Sequence, residues 1–175
     1  MTDPEFSRPQ RLDTIGDSER TVEIAADEAE RQALARRFGL RSVDRLEARF
    51  AVRRDAGGVA ARGHVSARVV QACTVTGDPL PASVEEDVLL RFVAAGDGSE
   101  EEVELGEDAL DTMEFTGGAI DLGEAAAETM ALGLDPYPRG ADAEEKLRAA
   151  GVKSEEEAGP FGALAGLKDA LNRKG

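Results

Sequence analysis

The stretch LEARFAVRRDAGGVAARGHVSARVVQACTV, Leu46 to Val75, alternates apolar and polar residues on both sides of a glycine pair. Leu46, Ala48, Phe50 and Val52 take even positions, and Val59, Ala61, Val65, Ala67, Val69, Gln71, Cys73 and Val75 take odd ones. A period of two puts each set on one face of a strand. Asp55-Ala56-Gly57-Gly58 between them has the positive-φ capacity that a tight hairpin turn needs. The spacing therefore predicts a long antiparallel hairpin with one apolar and one polar face. The polar face carries Arg45, Glu47, Arg49 and Arg53 from the first strand and Arg62, His64, Ser66 and Arg68 from the second.

Working outward, Thr21-Val22-Glu23-Ile24 alternates as a further strand, and Phe6 marks a candidate edge strand in an N-terminal arm, residues 1–19. Asp27 stands three residues before Glu30, the spacing of a capping box, and opens a helix that Gly39 stops; Leu34 and Phe38 form its buried stripe. After the hairpin, Gly77-Asp78-Pro79 turns the chain into a third long strand, Val84 to Ala94, with Glu86 at its rim. Val103 and Leu105 suggest a brief strand, and residues 106–118 read as irregular. Asp121, with Glu124 three residues on, repeats the capping logic for a helix ending at Gly133, which Pro136 and Pro138 keep from resuming. The fold expected is α+β: a curved antiparallel sheet of about five strands, a helix before the central hairpin and a second after the sheet. Residues 20–139 form one domain on this reading. Residues 140–175 are an acidic tail whose short C-terminal helix places Phe161, Leu164, Leu167 and Leu171 on one side.

The chain has 175 residues, a length that suits one core, and its aromatic content of 4% leaves that core to Ala, Val, Leu and six Phe. No basic stretch precedes an apolar run at the N-terminus and no window is apolar enough to span a bilayer, so a cytoplasmic protein without a membrane partner is expected. Net charge is −15, but residues 1–76 hold 13 arginines and 12 acids while residues 77–175 hold 8 bases and 24 acids. Between Arg31 and Arg68 ten arginines face three acids, a local +7 made entirely of Arg. Guanidinium forks suit phosphate and carboxylate alike. Arg45, Arg49, Arg53, Arg62 and Arg68 are thus a candidate face for RNA or for an acidic partner, against the plainer alternative of a solvated sheet face.

Signals of catalysis are weak. Cys73 and His64 fall on opposite faces by register, so they make no nucleophile–base pair, and Cys73 reads as an inert core residue. With one Cys and one His, no thiolate or imidazole metal cluster can assemble. Adjacent acids such as Glu85-Glu86-Asp87 point apart in a strand and suit a metal poorly. No phosphate-binding glycine loop occurs, and stacking aromatics for single-stranded bases are absent from the pattern. Neither catalytic residues, cofactor nor small-molecule substrate are expected.

Two linked segments carry a further signal: Gln71-Ala72-Cys73-Thr74-Val75-Thr76-Gly77-Asp78-Pro79-Leu80, and Ile120-Asp121-Leu122-Gly123-Glu124 followed by Leu132-Gly133-Leu134-Asp135-Pro136-Tyr137-Pro138-Arg139. With Pro160 to Lys168 near the end, they resemble the YceD family of large ribosomal RNA subunit accumulation proteins over roughly residues 20–170. The resemblance implies support for synthesis, processing or stability of 23S rRNA, in bacteria and chloroplasts, with no established catalytic residue. The implied partner is 23S rRNA or its precursor, reached directly or through a ribosomal or processing protein. Some members carry paired cysteines that look like a metal knuckle; this chain has Cys73 alone, so zinc is not carried over. The motif residues Gln71, Cys73, Thr76, Pro79, Asp121, Leu122, Glu124, Pro136, Tyr137 and Pro138 read as structural. An acidic adaptor for a basic ribosomal protein, without RNA contact, is the competing expectation.

Overall fold

Along the chain, β1 (Pro9–Arg11), β2 (Arg20–Ala25), α1 (Glu28–Arg37), β3 (Ser42–Asp55), β4 (Gly58–Ala72), β5 (Pro79–Ala94), β6 (Asp111–Phe115), β7 (Ala119–Asp121), α2 (Leu122–Leu132) and α3 (Ala143–Ala149) follow one another in a computed structural model that describes residues 4–95 and 111–152. The main sheet has the order β2-β3-β4-β5-β6, and β1 pairs separately with β7. By contacts the chain groups into two units, Met1–Gln71 with Pro81–Pro136 and Ala72–Leu80 with Tyr137–Gly175. The class is α+β, as the alternation and the two cap signals imply.

The β3–β4 hairpin is the centre of the first unit. Its register pairs Asp55 with Gly58, Phe50 with Gly63 and Leu46 with Ala67. The turn is held from inside: Gly57 N–H donates to Asp55 Oδ1 at 2.9 Å, and Arg91 of β5 reaches Asp55 Oδ1 at 3.1 Å. Gly58 has φ 126°, and a Cβ there would sit 2.3 Å from the Phe92 carbonyl oxygen, so only glycine closes this hairpin against β5. Gly63 interrupts the odd apolar series for a different reason. A Cβ at that position would meet the Phe50 ring at 2.6 Å, so the missing side chain is the room that Phe50 fills.

Leu46, Phe50, Val52, Val59, Val65 and Val69 are almost wholly buried, in one cluster with Leu34 of α1 and Leu122, Ala126 and Met130 of α2. Both helices pack on β3. Each fully buried Val, Leu or Phe side chain contributes roughly 1.5–3 kcal/mol relative to exposure, so the inner sheet face, built with few aromatics, is where the fold draws its stability. In α1 the capping box is complete: Glu30 N–H donates to Asp27 Oδ1 (2.9 Å) and Asp27 N–H to Glu30 Oε2 (2.8 Å). In α2, Asp121 accepts from Gly123 N–H and Glu124 N–H, but the Glu124 side chain turns away to Arg37 of α1 at 2.5 Å. The N-terminal arm is tied down. Phe6 is fully buried, Arg8 forks onto Glu30, and a Cβ on Gly123 would lie 2.4 Å from the Phe6 carbonyl oxygen.

Several expectations change in detail. The last strand, β6, joins β5 in parallel, Leu90 opposite Asp111 and Ala94 opposite Phe115, so the sheet is mixed. A parallel neighbour needs a crossover of a dozen residues or more, and residues 96–110 supply it. The span read as irregular, 106–118, contains β6, whose Met113 and Phe115 alternate inward with exposed Thr112 and Glu114. The strand pattern read as running to Val75 stops at Ala72, and the third strand begins at Pro79 instead of Val84. The residues after Gly140, read as tail, contain α3, with Ala143 buried. The Val103–Leu105 strand and the Pro160–Lys168 helix lie outside the described residues.

Candidate functional site

Because α1 and α2 both lie on the inner side, neither of them covers the outer face of the sheet. Register places Arg45 beside Arg68, Glu47 beside Ser66, Arg49 beside His64 and Ala51 beside Arg62, and Arg53 is two residues further along the same face. All five candidate arginines are exposed. The hairpin thus brings them onto one surface, with Ala51 and Ala60 as short side chains between them.

The neighbouring strands change the character of that surface. Arg62 forks onto Glu19 with both contacts at 2.9 Å, Arg49 lies 3.6 Å from Glu23 of β2, and Arg45 contacts Glu47 at 2.5 Å. From β5, Glu85 and Asp87 clasp His64: Nε2 is 2.9 Å from Glu85 Oε2 and Nδ1 is 2.8 Å from Asp87 Oδ1. Hydrogen bonds first to Asp87 and then to Glu85 push the His64 pKa up from its ordinary value. Glu85 is lowered in turn, by His64 first and Ser66 second. Counting Arg91 with the five, six arginines on this face are balanced by Glu19, Glu23, Glu47, Asp55, Glu85 and Asp87, with Asp17 beside them. Toward its hairpin-turn end lies a shallow groove of about 690 Å³ lined by Asp17, Glu19, Ala51, Arg53, Ala60, Arg62, Leu89 and Arg91. Leu89, 44% exposed, is its one large apolar residue. The counter-acids were missed by reading the hairpin alone, since Glu19 just before β2, Glu23 in β2 and Glu85 and Asp87 in β5 are brought beside it only by the topology.

The motif residues sit elsewhere, and the side chains of Gln71, Thr76 and Asp121 bond to backbone groups. In the first unit Gln71 is buried and its side-chain N–H donates to the Asp135 carbonyl at 2.8 Å. Asp121 accepts from four donors: Gly123 N–H, Glu124 N–H, Arg8 N–H at 2.8 Å and Ser7 Oγ at 2.5 Å. Leu122 is fully buried, and Pro136 is exposed. In the second unit, residues 73–78 form a tight turn, with Gly77 N–H donating to the Cys73 carbonyl and Cys73 N–H to the Asp78 carbonyl, both at 2.8 Å. Gly77, at φ 74°, supplies the left-handed residue this turn requires, and exposed Pro79 begins the next strand. Thr74 donates twice to the Pro138 carbonyl, through N–H at 2.9 Å and Oγ1 at 3.1 Å, and Tyr137 beside it is 74% exposed.

Cys73 lies in that turn and not in a strand, and it is buried, 3% exposed. Its Sγ accepts from Gly140 N–H at 3.4 Å. This hydrogen bond, followed by those from the Thr76 hydroxyl and the Thr76 and Val75 amides, pulls the thiol down to about 6, with burial opposing. Among the described residues no group of three or more His, Cys, Asp or Glu is arranged to hold a metal ion.

The profile of a family described as "Large ribosomal RNA subunit accumulation protein YceD" matches residues 61–168, a span that contains both motif segments. The chain belongs to this family. Comparison with curated proteins and with solved structures finds no match. Membership assigns the protein a part in accumulation of large ribosomal subunit RNA. Of the candidate face, Arg62 and Arg68 lie within the matched span, while Arg45, Arg49 and Arg53 precede it. No described helix of this YceD-family protein is long and apolar enough to cross a membrane.

Proposed function

We propose that this YceD-family protein is a non-enzymatic ribosome-biogenesis factor of the cytoplasm that supports 23S rRNA, and that the outer face of its sheet meets RNA phosphates. One observation carries the reading: a face that neither α1 nor α2 covers, on which register gathers Arg45, Arg49, Arg53, Arg62 and Arg68 as exposed residues. Their present partners do not forbid it. Exposed ion pairs are worth about 0–1 kcal/mol, so a phosphate that accepts a bidentate fork competes with Glu19 or Glu23 at small cost. Replacing Arg49, Arg53 and Arg62 with Gln tests it. RNA affinity should fall for every sequence, and the log–log dependence on salt should flatten by about 2 to 3, near one unit or slightly less per lost contact. An unchanged slope in the folded variant would remove direct RNA contact.

A second reading has its own support. The acids that balance the Arg face, with a net charge of −15 overall, suit an adaptor that reaches 23S rRNA through a basic ribosomal or processing protein. Gradient cosedimentation of the tagged protein separates the two: precursor large-subunit particles retained after nuclease treatment indicate protein contact, and loss with the RNA indicates phosphate contact.

A further inference from the structure

The groove at the hairpin-turn end of the outer face is walled by charges that are paired and by two that are not. Arg62 is held on Glu19 by two bonds of 2.9 Å. Arg91 lies on Asp55 at 3.1 and 3.3 Å, so close over Gly57 that a Cβ there would collide with its Nη1. Arg53 and Asp17 line the same groove, and both are exposed. Among the described residues neither side chain has a hydrogen bond or an ion pair, although their charges are opposite. Asp17 is nevertheless fixed through its backbone: the Gly16 carbonyl accepts from Arg54 N–H at 2.8 Å, which fastens the bend before β2 to the end of β3.

We infer that this groove takes the base of one unpaired guanine nucleotide of RNA, Arg53 donating to its O6 and N7 and Asp17 accepting from its N1–H and its 2-amino group. The choice follows from the hydrogen-bonding edges of the bases. Of the four in RNA, only guanine offers an arginine fork two adjacent acceptors and also offers a carboxylate two adjacent donors. Adenine and uracil alternate donor with acceptor, and cytosine gives a carboxylate one amino group alone. The floor suits the flat side of a base, since Ala51 and Ala60 keep the surface low and Leu89, 44% exposed, adds apolar contact on one side. At about 690 Å³ the groove falls within the roughly 300–1,000 Å³ of small-molecule sites, room for a single nucleotide.

N1–H and the 2-amino group belong to the edge that pairs with cytosine, so a guanine held by Asp17 is not in a helix. The class recognised is thus a single-stranded or bulged guanine. Arg45, Arg49 and Arg68, further along the same face, remain for the phosphates of flanking nucleotides. A base-reading role also gives a partner to Asp17, which a phosphate alone would repel. The inference deepens the phosphate-contact reading above and rests on it: phosphates position the strand, and the groove reads one base.

The test uses the full chain and fluorescent eight-nucleotide RNAs: all uridine, uridine with one central guanosine, and the same with inosine or 7-deazaguanosine at that position. Affinity is read by anisotropy at fixed salt. The expected result is at least tenfold tighter binding of the guanosine RNA than of the all-uridine RNA. Inosine, which lacks the 2-amino donor, and 7-deazaguanosine, which lacks N7, should each lose at least threefold. In Asp17→Asn the affinities for guanosine and inosine RNAs should come within about twofold of each other. Equal affinity of the wild type for guanosine and uridine RNAs, or an unaltered guanosine-to-inosine ratio in Asp17→Asn, would overturn the inference. If the RNAs bind equally and replacing Arg49, Arg53 and Arg62 still flattens the salt dependence, the base site alone is wrong and the phosphate reading stands. No RNA binding, with the chain still cosedimenting through a basic ribosomal protein, would remove both and leave the adaptor.

Discussion

Asp121→Ala is the most informative single substitution, because one carboxylate does two structural jobs. Its oxygens accept from Gly123 N–H at 2.9 Å and Glu124 N–H at 3.2 Å, which caps α2. They also accept from Arg8 N–H at 2.8 Å and Ser7 Oγ at 2.5 Å, which fastens the N-terminal strap across that helix end. Loss of an N-cap carboxylate costs about 0.5–2 kcal/mol. Each hydrogen bond to a charged acceptor adds roughly 1.5–3 kcal/mol in isolation, less here because the groups are part-exposed and share one acceptor. The expected total is about 2–4 kcal/mol, a fall in melting temperature of about 4–16 °C at this chain length. Urea unfolding of the wild type, Asp121→Ala, Ser7→Ala and the double variant forms a cycle. Ser7→Ala should cost about 1 kcal/mol alone and almost nothing once Asp121 is gone, since both report one bond. A loss below about 0.5 kcal/mol for Asp121→Ala would refute the assignment. If the variant stayed that stable yet failed to support rRNA accumulation, Asp121 would be a contact residue and not a cap.

Gly123→Ala improves helix propensity but places a Cβ 2.4 Å from the Phe6 carbonyl oxygen, so the chemical-denaturation midpoint should fall by an equivalent of about 1–3 kcal/mol; a rise would show that the strap is not packed there. For Cys73, lowered in the fold to about 6 from its ordinary value of 9.0, the folded state binds fewer protons than the unfolded chain between those values. Its contribution to stability is present in full above pH 9.0 and is lost as pH falls through about 6, so wild type should gain stability over Cys73→Ala across that window, with thiolate absorbance reporting the same transition. Parallel pH–stability curves for the two proteins would refute the donor nest. His64 has the opposite sign: raised by Asp87 and then Glu85, its contribution is complete below the ordinary histidine value and is lost as pH rises through the folded pKa. As the sole histidine its ring resonance can be titrated directly, and Asp87→Asn should move the midpoint down; an unmoved midpoint would break the clasp.

Strand alternation from Leu46 to Val69 made the hairpin legible, because a period of two leaves few other ways to bury that many Val and Ala. Asp27 and Asp121 were equally legible as caps. Glu124 was not, since its choice of Arg37 over its own helix end depends on where α1 lies. Gly63 looked like a defect in the pattern and is explained only by its cross-strand partner Phe50. The parallel placement of β6 escaped because pairing direction is a property of the connection and not of the five residues in the strand. Cys73 fell on an apolar position and is buried as that position implies, but in a turn and not in a strand. Its acidity comes from Gly140, which lies far along the chain, and from amides that a turn aims at the sulfur.

The candidate face shows the same limit with consequences for function. A local excess of arginine over residues 31–68 is a statement about one dimension, and Glu19 just before β2, Glu23 of β2, and Glu85 and Asp87 of β5 join the same surface in three. A balanced face has little long-range field, so it does not draw in RNA from a distance as a basic patch does. It instead favours a ligand that arrives by another route and then exchanges carboxylate for phosphate at short range, where fork geometry outweighs net charge. That order of events fits a factor delivered to a ribosomal precursor through a protein contact, with the Arg face engaging rRNA only once it is held there.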